Sequence, residues 1–236
     1  MMIRKREGFV DEYDDRLDFT ATRGMNMIIC FDADGTIIDS LTVESVYYVG
    51  AYKKLGIGLV DDIEDLKKLC RNNYFEECAK HGIDEATCRE LGAIYRRDLA
   101  KSGVEIPMFP GAAALLNDLG KRFPLFIVSS NHSVFLQDIL TRHQVGGVTE
   151  VIGGDQETSK VNTFLKLKVR YPGEKILFIG DTKGDILEGK KAGLDLLIGV
   201  TYGWGFQEDL KEAGADYLVD SVAELASLLQ QITENQ

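Results

Sequence analysis

The sequence predicts an α/β fold, a parallel sheet between two layers of helices, with a separate helical module let into it. Three observations carry this. Short apolar runs without alternation end on polar groups at Asp32, Ser129 and Gly180-Asp181. Segments of helical spacing lie between such runs, which is the pattern of strand–helix–strand crossovers. The stretch 42–101, between the first and second runs, has helical spacing but no convincing strand.

In chain order, Met27-Ile28-Ile29-Cys30-Phe31 is the first strand and stops at Asp32. Unbroken apolar runs of this length fit strands buried on both faces. The next stretch places Leu66, Leu69 and Cys70, then Leu91, Ile94 and Tyr95, at helical spacing. It is too long for one crossover helix, so it reads as an inserted module at 42–103, with Asp39-Ser40 before it and Pro107–Pro110 after it. A helix over 111–122 sets Ala112, Leu115, Leu116 and Leu119 on one face. Leu125–Val128 is the second long-buried run and Ile176–Ile179 the third, with further strands expected at Val148–Ile152, Leu194–Val200 and Asp216–Val219. Helices are expected at Ser133–His143, Ser159–Val169, Gly184–Ala192 and Ser221–Ile232. The core is thus 25–41 with 104–236. Residues 1–24 are charged, lack an apolar face and read as a peripheral N-terminal extension.

Composition narrows the function. The 236 residues carry 27 Lys+Arg against 38 Asp+Glu, a net charge of -11, with 44% hydrophobic residues. That supports a buried core and argues against nucleic acid, whose phosphates demand a basic surface. No apolar run approaches the ~20 residues that span a bilayer, and the N-terminus is too charged for a signal peptide. The four cysteines, Cys30, Cys70, Cys78 and Cys88, form no C-x-x-C pair. They read as reduced, packed thiols of a cytoplasmic protein, those at 70, 78 and 88 in the core of the module.

Ligands of open α/β sheets sit beyond the carboxyl ends of the strands. There the chain places Asp32 and Asp34, then Ser129-Ser130-Asn131, then Asp181 and Asp185. Like charges in one pocket raise one another's pKa, so an ionised cluster needs a cation. All-oxygen ligands favour a hard ion, Mg²⁺ over zinc. Four carboxylates, one Mg²⁺ and one lysine still leave a net negative charge, so an anionic substrate requires one carboxyl to be protonated. A protonated carboxyl is a general acid, which points to phosphoryl chemistry with one aspartate as nucleophile and another as proton carrier.

Asp32-Ala33-Asp34-Gly35-Thr36 resembles the D-x-D-G-T signature of the haloacid dehalogenase superfamily of phosphohydrolases. Ser129 resembles that family's second motif, Lys160 its third, and Gly180-Asp181-Thr182-Lys183-Gly184-Asp185 its fourth. Pro110-Gly111, Ala192-Gly193, Val200–Gly203 and Gly214–Tyr217 also fit the phosphoglycolate-phosphatase-like branch, and the likeness runs from about Met27 to Leu229. The resemblance implies a Rossmann-like three-layer core with an all-helical cap formed by the insertion. It implies Asp32 as nucleophile, forming an aspartyl-phosphate, and Asp34 as general acid and base. It implies Mg²⁺ held by Asp32, Asp34 (through its backbone carbonyl), Asp181 and Asp185. Ser129 and Lys160 would bind the phosphoryl oxygens, helped by backbone N–H groups near Asp34 and Ser130; Gly35 and Thr36 would shape the loop, and Asn131 lies beside them. Asp34 argues against the branches that cleave carbon–halogen and phosphonate bonds.

The implied substrate is a small phosphorylated metabolite, phosphoglycolate or a sugar phosphate, acted on by a monomer or homodimer. Arg71-Asn72-Asn73 on the module read either as facing that substrate or as a solvated helix end. The alternatives are a β-phosphoglucomutase-like phosphotransferase, a nucleotidase or pyrophosphatase, or a non-catalytic phospho-aspartate module. Gly184-x-x-x-x-Gly189-Lys190-Lys191 nearly matches a P-loop, but Lys191 stands where the magnesium-binding Ser/Thr belongs and the stretch reads as helix.

Overall fold

Met27–Phe31 forms strand β1 with all five residues buried, as a run without polar alternation must be when both sheet faces are covered. The computed structural model describes residues 27–234, so the extension at 1–24 lies outside the described residues. Four helices follow β1: α1 Leu41–Leu55, α2 Ile63–Leu69, α3 Tyr74–Lys80 and α4 Glu85–Ser102. Then come α5 Ala112–Gly120, β2 Leu125–Val128, α6 Ser133–Arg142, β3 Glu150–Ile152, α7 Lys160–Arg170 and β4 Lys175–Gly180. The chain ends with α8 Lys183–Lys191, β5 Leu196–Val200, α9 Gln207–Ala213, β6 Tyr217–Val219 and α10 Val222–Glu234.

The sheet has six strands in the order β3-β2-β1-β4-β5-β6, every pair parallel. Alternate residues of each strand feed different cores. Met27, Ile29 and Phe31 pack with Leu116 of α5, Leu136 of α6 and Leu225 of α10. Ile28 and Cys30 pack on the other side with Phe164 of α7, Ile186 of α8 and Leu210 of α9. This is the expected three-layer α/β architecture. Helix α9 was not anticipated; at seven residues it is too short for periodicity to reveal.

The insertion is wholly helical, and its starts are written in the sequence. Asp62 accepts hydrogen bonds from the N–H groups of Glu64 and Asp65, Asn73 from that of Glu76, and Asp84 from that of Thr87, capping α2, α3 and α4. Its interior holds Tyr52, Cys78, Leu91 and Tyr95, all fully shielded. Cys78 and Cys88 are buried as expected, whereas Cys70 is only partly so and lines the cavity described below. Among the described residues no helix is long and apolar enough to cross a membrane.

Candidate active site

Strand β1 lies between β2 and β4, and the chain spreads from it in opposite directions on its two sides. A crevice forms where such a sheet reverses, outside the carboxyl ends of the strands. Register settles what meets there. Phe31 pairs with Ile179, and the Asp32 N–H donates to the Ile179 carbonyl at 2.8 Å, so Asp32 comes level with the Gly180-Asp181 end of β4. Phe31 also pairs with Ile127, which brings Ser129 alongside.

Asp32, Asp181 and Asp185 converge, with carboxylate oxygens all within 4.8 Å of one another, and all three are buried. Lys160, the first residue of α7, points its ammonium into the group and donates to Asp32 Oδ1 and Asp185 Oδ1, both at 2.6 Å. Ser159 starts that helix by accepting from the Asn162 N–H, and the Lys160 N–H donates to Glu188 Oε1 at 3.2 Å. Asp185 is fixed by a capping box: Thr182 Oγ1 accepts its N–H, while its Oδ2 accepts from the Thr182 N–H and hydroxyl at 3.0 and 2.7 Å.

Asp181 is held from behind. Its Oδ2 accepts from the Trp204 N–H at 2.6 Å, and its Oδ1 from the Thr36 hydroxyl at 3.3 Å. Gly35 turns the chain here with φ 78, and a Cβ on it would run into the Asp181 carboxylate and the Trp204 ring. Gly35 and Thr36 therefore brace Asp181 and do not border the cavity. Asp34 does border it; its Oδ2 accepts from the Asn131 amide at 3.0 Å. Ser129 Oγ accepts from the Asn131 N–H at 3.1 Å and also faces the cavity, as do Ser130 and Asn131.

Arg71 has its partner outside the cavity. Its guanidinium pairs with Asp209 of α9, Nε donating to Oδ2 at 2.5 Å, and it does not border the cavity. The reason lies in α9, which places a buried carboxylate under the end of α2. Asn73, by contrast, borders the cavity and donates to Glu188 Oε1 and the Thr158 carbonyl, both at 3.0 Å. These bonds tie the insertion to the core beside the cavity. The near P-loop is helix α8.

Sequence reasoning missed Glu44. It is buried on α1, lines the cavity, and its Oε1 accepts from Tyr95 Oη at 3.2 Å and from the Asn131 amide at 3.4 Å. Its signal was available: Glu44 stands one helical turn before Tyr48 and two before Tyr52, a charge in phase with an aromatic stripe.

Burial, and then the neighbouring carboxylates, dominate the electrostatics. Burial, only partly offset by Lys160, raises the Asp32 carboxyl well above the ordinary range. Burial and then the Asp34 charge do the same to Glu44. Burial works against the Lys160 charge, but Asp185, Asp32 and Glu188 outweigh it and hold its pKa above the usual value. Burial, reinforced by Asp185, pushes Asp181 up to about 7. An Asp raised in the folded state contributes stability that is full below its unfolded pKa, ~3.9, and lost as pH rises through the folded value. In chelator, wild type is therefore expected to lose stability relative to Asp181→Asn from about pH 4 to about pH 7, by up to ~1.4 kcal/mol per pH unit. Thermal melts across that range check this, and parallel curves would refute it.

Ionised together, the three buried carboxylates facing a single ammonium would carry about two uncompensated negative charges. The donors are all oxygen and close enough to share one ion, so the residues present fit a hard divalent cation.

An open parallel α/β sheet thus carries an acidic cluster and a bridging lysine at its switch point, the place where ligands of such sheets bind. The haloacid dehalogenase-like hydrolase family model matches residues 29–198, and the chain belongs to that family. It is 26% identical over 219 residues to the phosphoglycolate phosphatase of Vibrio parahaemolyticus, covering 86% of this chain and 95% of that one. With the phosphoglycolate phosphatase of Vibrio cholerae it shares 27% over 220 residues, 86% and 96% of the two chains. A crystal structure of "a predicted phosphatase" from Clostridium acetobutylicum superposes with a TM-score of 0.72 at 28% identity, covering 88% of this chain and 99% of that one.

Proposed function

We propose that the chain, a phosphoric monoester hydrolase of the haloacid dehalogenase type, is a Mg²⁺-dependent phosphatase that works through an aspartyl-phosphate on Asp32. The observation that carries this is Lys160 bridging Asp32 and Asp185 at 2.6 Å within the carboxylate cluster. The substrate proposed is a small phosphomonoester. Phosphoglycolate leads, because the Vibrio relatives are named for it.

Asp32, Asp181 and Asp185, with the Asp34 backbone carbonyl, would hold Mg²⁺, which supplies positive charge against the phosphoryl oxygens and the nucleophile. Asp32 attacks phosphorus in line with the ester oxygen, and the P–O bond to the leaving group breaks. Asp34, a half-buried carboxyl at the cavity, gives its proton to that oxygen. It then takes a proton from water, which attacks the phosphorus of the aspartyl-phosphate, releases phosphate and restores Asp32. Lys160, Ser129 and nearby backbone N–H groups bind the equatorial oxygens, where charge must be compensated. Asn131 orients Asp34 and ties it to Glu44. The module at 42–103 serves as the cap, excluding water and reading the leaving group.

Phosphate release over a panel of phosphoglycolate, sugar phosphates, nucleotides and pyrophosphate tests the reading. With Mg²⁺ a small monoester is expected to release free phosphate, and EDTA to stop the reaction until Mg²⁺ is added back. Indifference to chelation would remove the metal; isomerised sugar phosphate without free phosphate would make the protein a mutase.

A further inference from the structure

We propose that Arg96 is the specificity residue of this site, taking a carboxylate carried on the leaving group of a substrate whose phosphoryl group lies against Asp32 and Lys160. The inference rests on the phosphatase reading above and adds the part of the substrate that the insertion recognises.

Arg96 projects from α4 into the cavity of ≈ 270 Å³ that Asp32 and Lys160 also line. Two other cations border that cavity, and both are committed. Lys160 is held by Asp32 and Asp185, and Arg89 by Glu85 at 2.5 Å. Arg96 is half-buried and has neither a hydrogen bond nor an ion pair among the described residues. A guanidinium drawn out of water without an acceptor calls for an anion from outside the protein.

The acid on the core side of the cavity, Asp155, attracts Arg96 through its charge but makes no hydrogen bond or ion pair with it. Its two oxygens accept from the Ser133 N–H at 2.7 Å and the Ser133 hydroxyl at 2.8 Å, at the start of α6, and His132 Nδ1 stands 3.8 Å away. Its charge is thereby met by the helix N-terminus and its neighbours. Gly92 is the second sign that Arg96 is placed with purpose. It lies inside α4, where glycine is a poor helix former, yet it is buried and borders the cavity. A Cβ there would stand 2.9 Å from Arg96 Nη1. Absence of a side chain one turn earlier lets the guanidinium lie back along the helix and face the cavity.

A carboxylate suits this subsite better than a second phosphate. One guanidinium matches one negative charge, and Asp34, which lines the same cavity, penalises any excess. The planar fork also binds a carboxylate through two parallel hydrogen bonds.

The test compares phosphoglycolate with ethyl phosphate, which share the phosphoryl group and the first carbon and differ in the carboxylate. Wild type is expected to prefer phosphoglycolate in kcat/KM. Arg96→Gln is expected to reduce that preference at least ~30-fold, mainly through KM, with Arg96→Lys recovering only part because the fork is gone. Gly92→Ala is expected to reduce it in the same direction by a smaller factor. Equal losses on both substrates would overturn the assignment, since a merely structural Arg96 does not distinguish them. Wild type that hydrolyses both esters without preference overturns the inference while leaving the phosphatase reading in place. Wild type that releases phosphate from neither, with Mg²⁺ present, overturns both.

Discussion

Asp32→Asn is expected to lower phosphate release at least ~1,000-fold while leaving the protein folded. The amide keeps the shape of the carboxylate at the end of β1 but lacks the anionic oxygen that attacks phosphorus, and it removes one charge from the ion-binding cluster. Folding is spared for a physical reason. Asp32 is 6% exposed and burial has already pushed its carboxyl upward, so its charged form is a burden in the metal-free protein. In chelator the variant is expected to melt at or above the wild-type temperature. Phosphate release and thermal melts on the same preparations decide the matter. A variant that keeps a tenth of the wild-type rate would remove Asp32 from the role of nucleophile.

Lys160→Met carries the second large effect and differs from the first in its stability cost. Activity is expected to fall ~100-fold or more, because the phosphoryl oxygens lose a buried cation. Here the fold suffers too. Lys160 meets Asp32 and Asp185 at 2.6 Å, with side chains 10%, 9% and 2% exposed. Methionine fills the space of the stem and leaves two buried carboxylates facing each other. Breaking a buried pair from one side costs about 3–5 kcal/mol. Mg²⁺ is expected to return part of that, so the rise in Tm on adding the ion should be larger in the variant than in wild type. A variant that melts with wild type in chelator would show that the lysine does not neutralise the cluster.

The contrast between these variants explains which parts of the site were legible in the sequence. Asp32, Asp181 and Asp185 were readable because an apolar run that ends on an acid marks a strand's carboxyl end, where a parallel sheet gathers its ligands. Lys160 was readable only by its likeness to a family motif, since a lysine at a helix start has no local signature of burial. Glu44 was hidden because the aromatic stripe of α1 was not followed back through a charged residue. Arg71 illustrates a different limit. A cation next to polar residues on the insertion read either as facing substrate or as a solvated helix end, and its partner, Asp209, sits 138 positions away on a helix too short to detect.

The sequence by itself determined the layers, the strands that bury both faces, the helical insertion after β1, and the acids at the strand ends. These follow from periodicity, run length and capping residues, which act over a few neighbours in the chain. Only the tertiary structure decided the order of the strands, the closure of Lys160 on two carboxylates, the role of Gly35 beneath Asp181, and the freedom of Arg96 inside the cavity. Those depend on groups distant in sequence whose charges and volumes interact only after packing has brought them within a few ångströms, and no local pattern records such a distance.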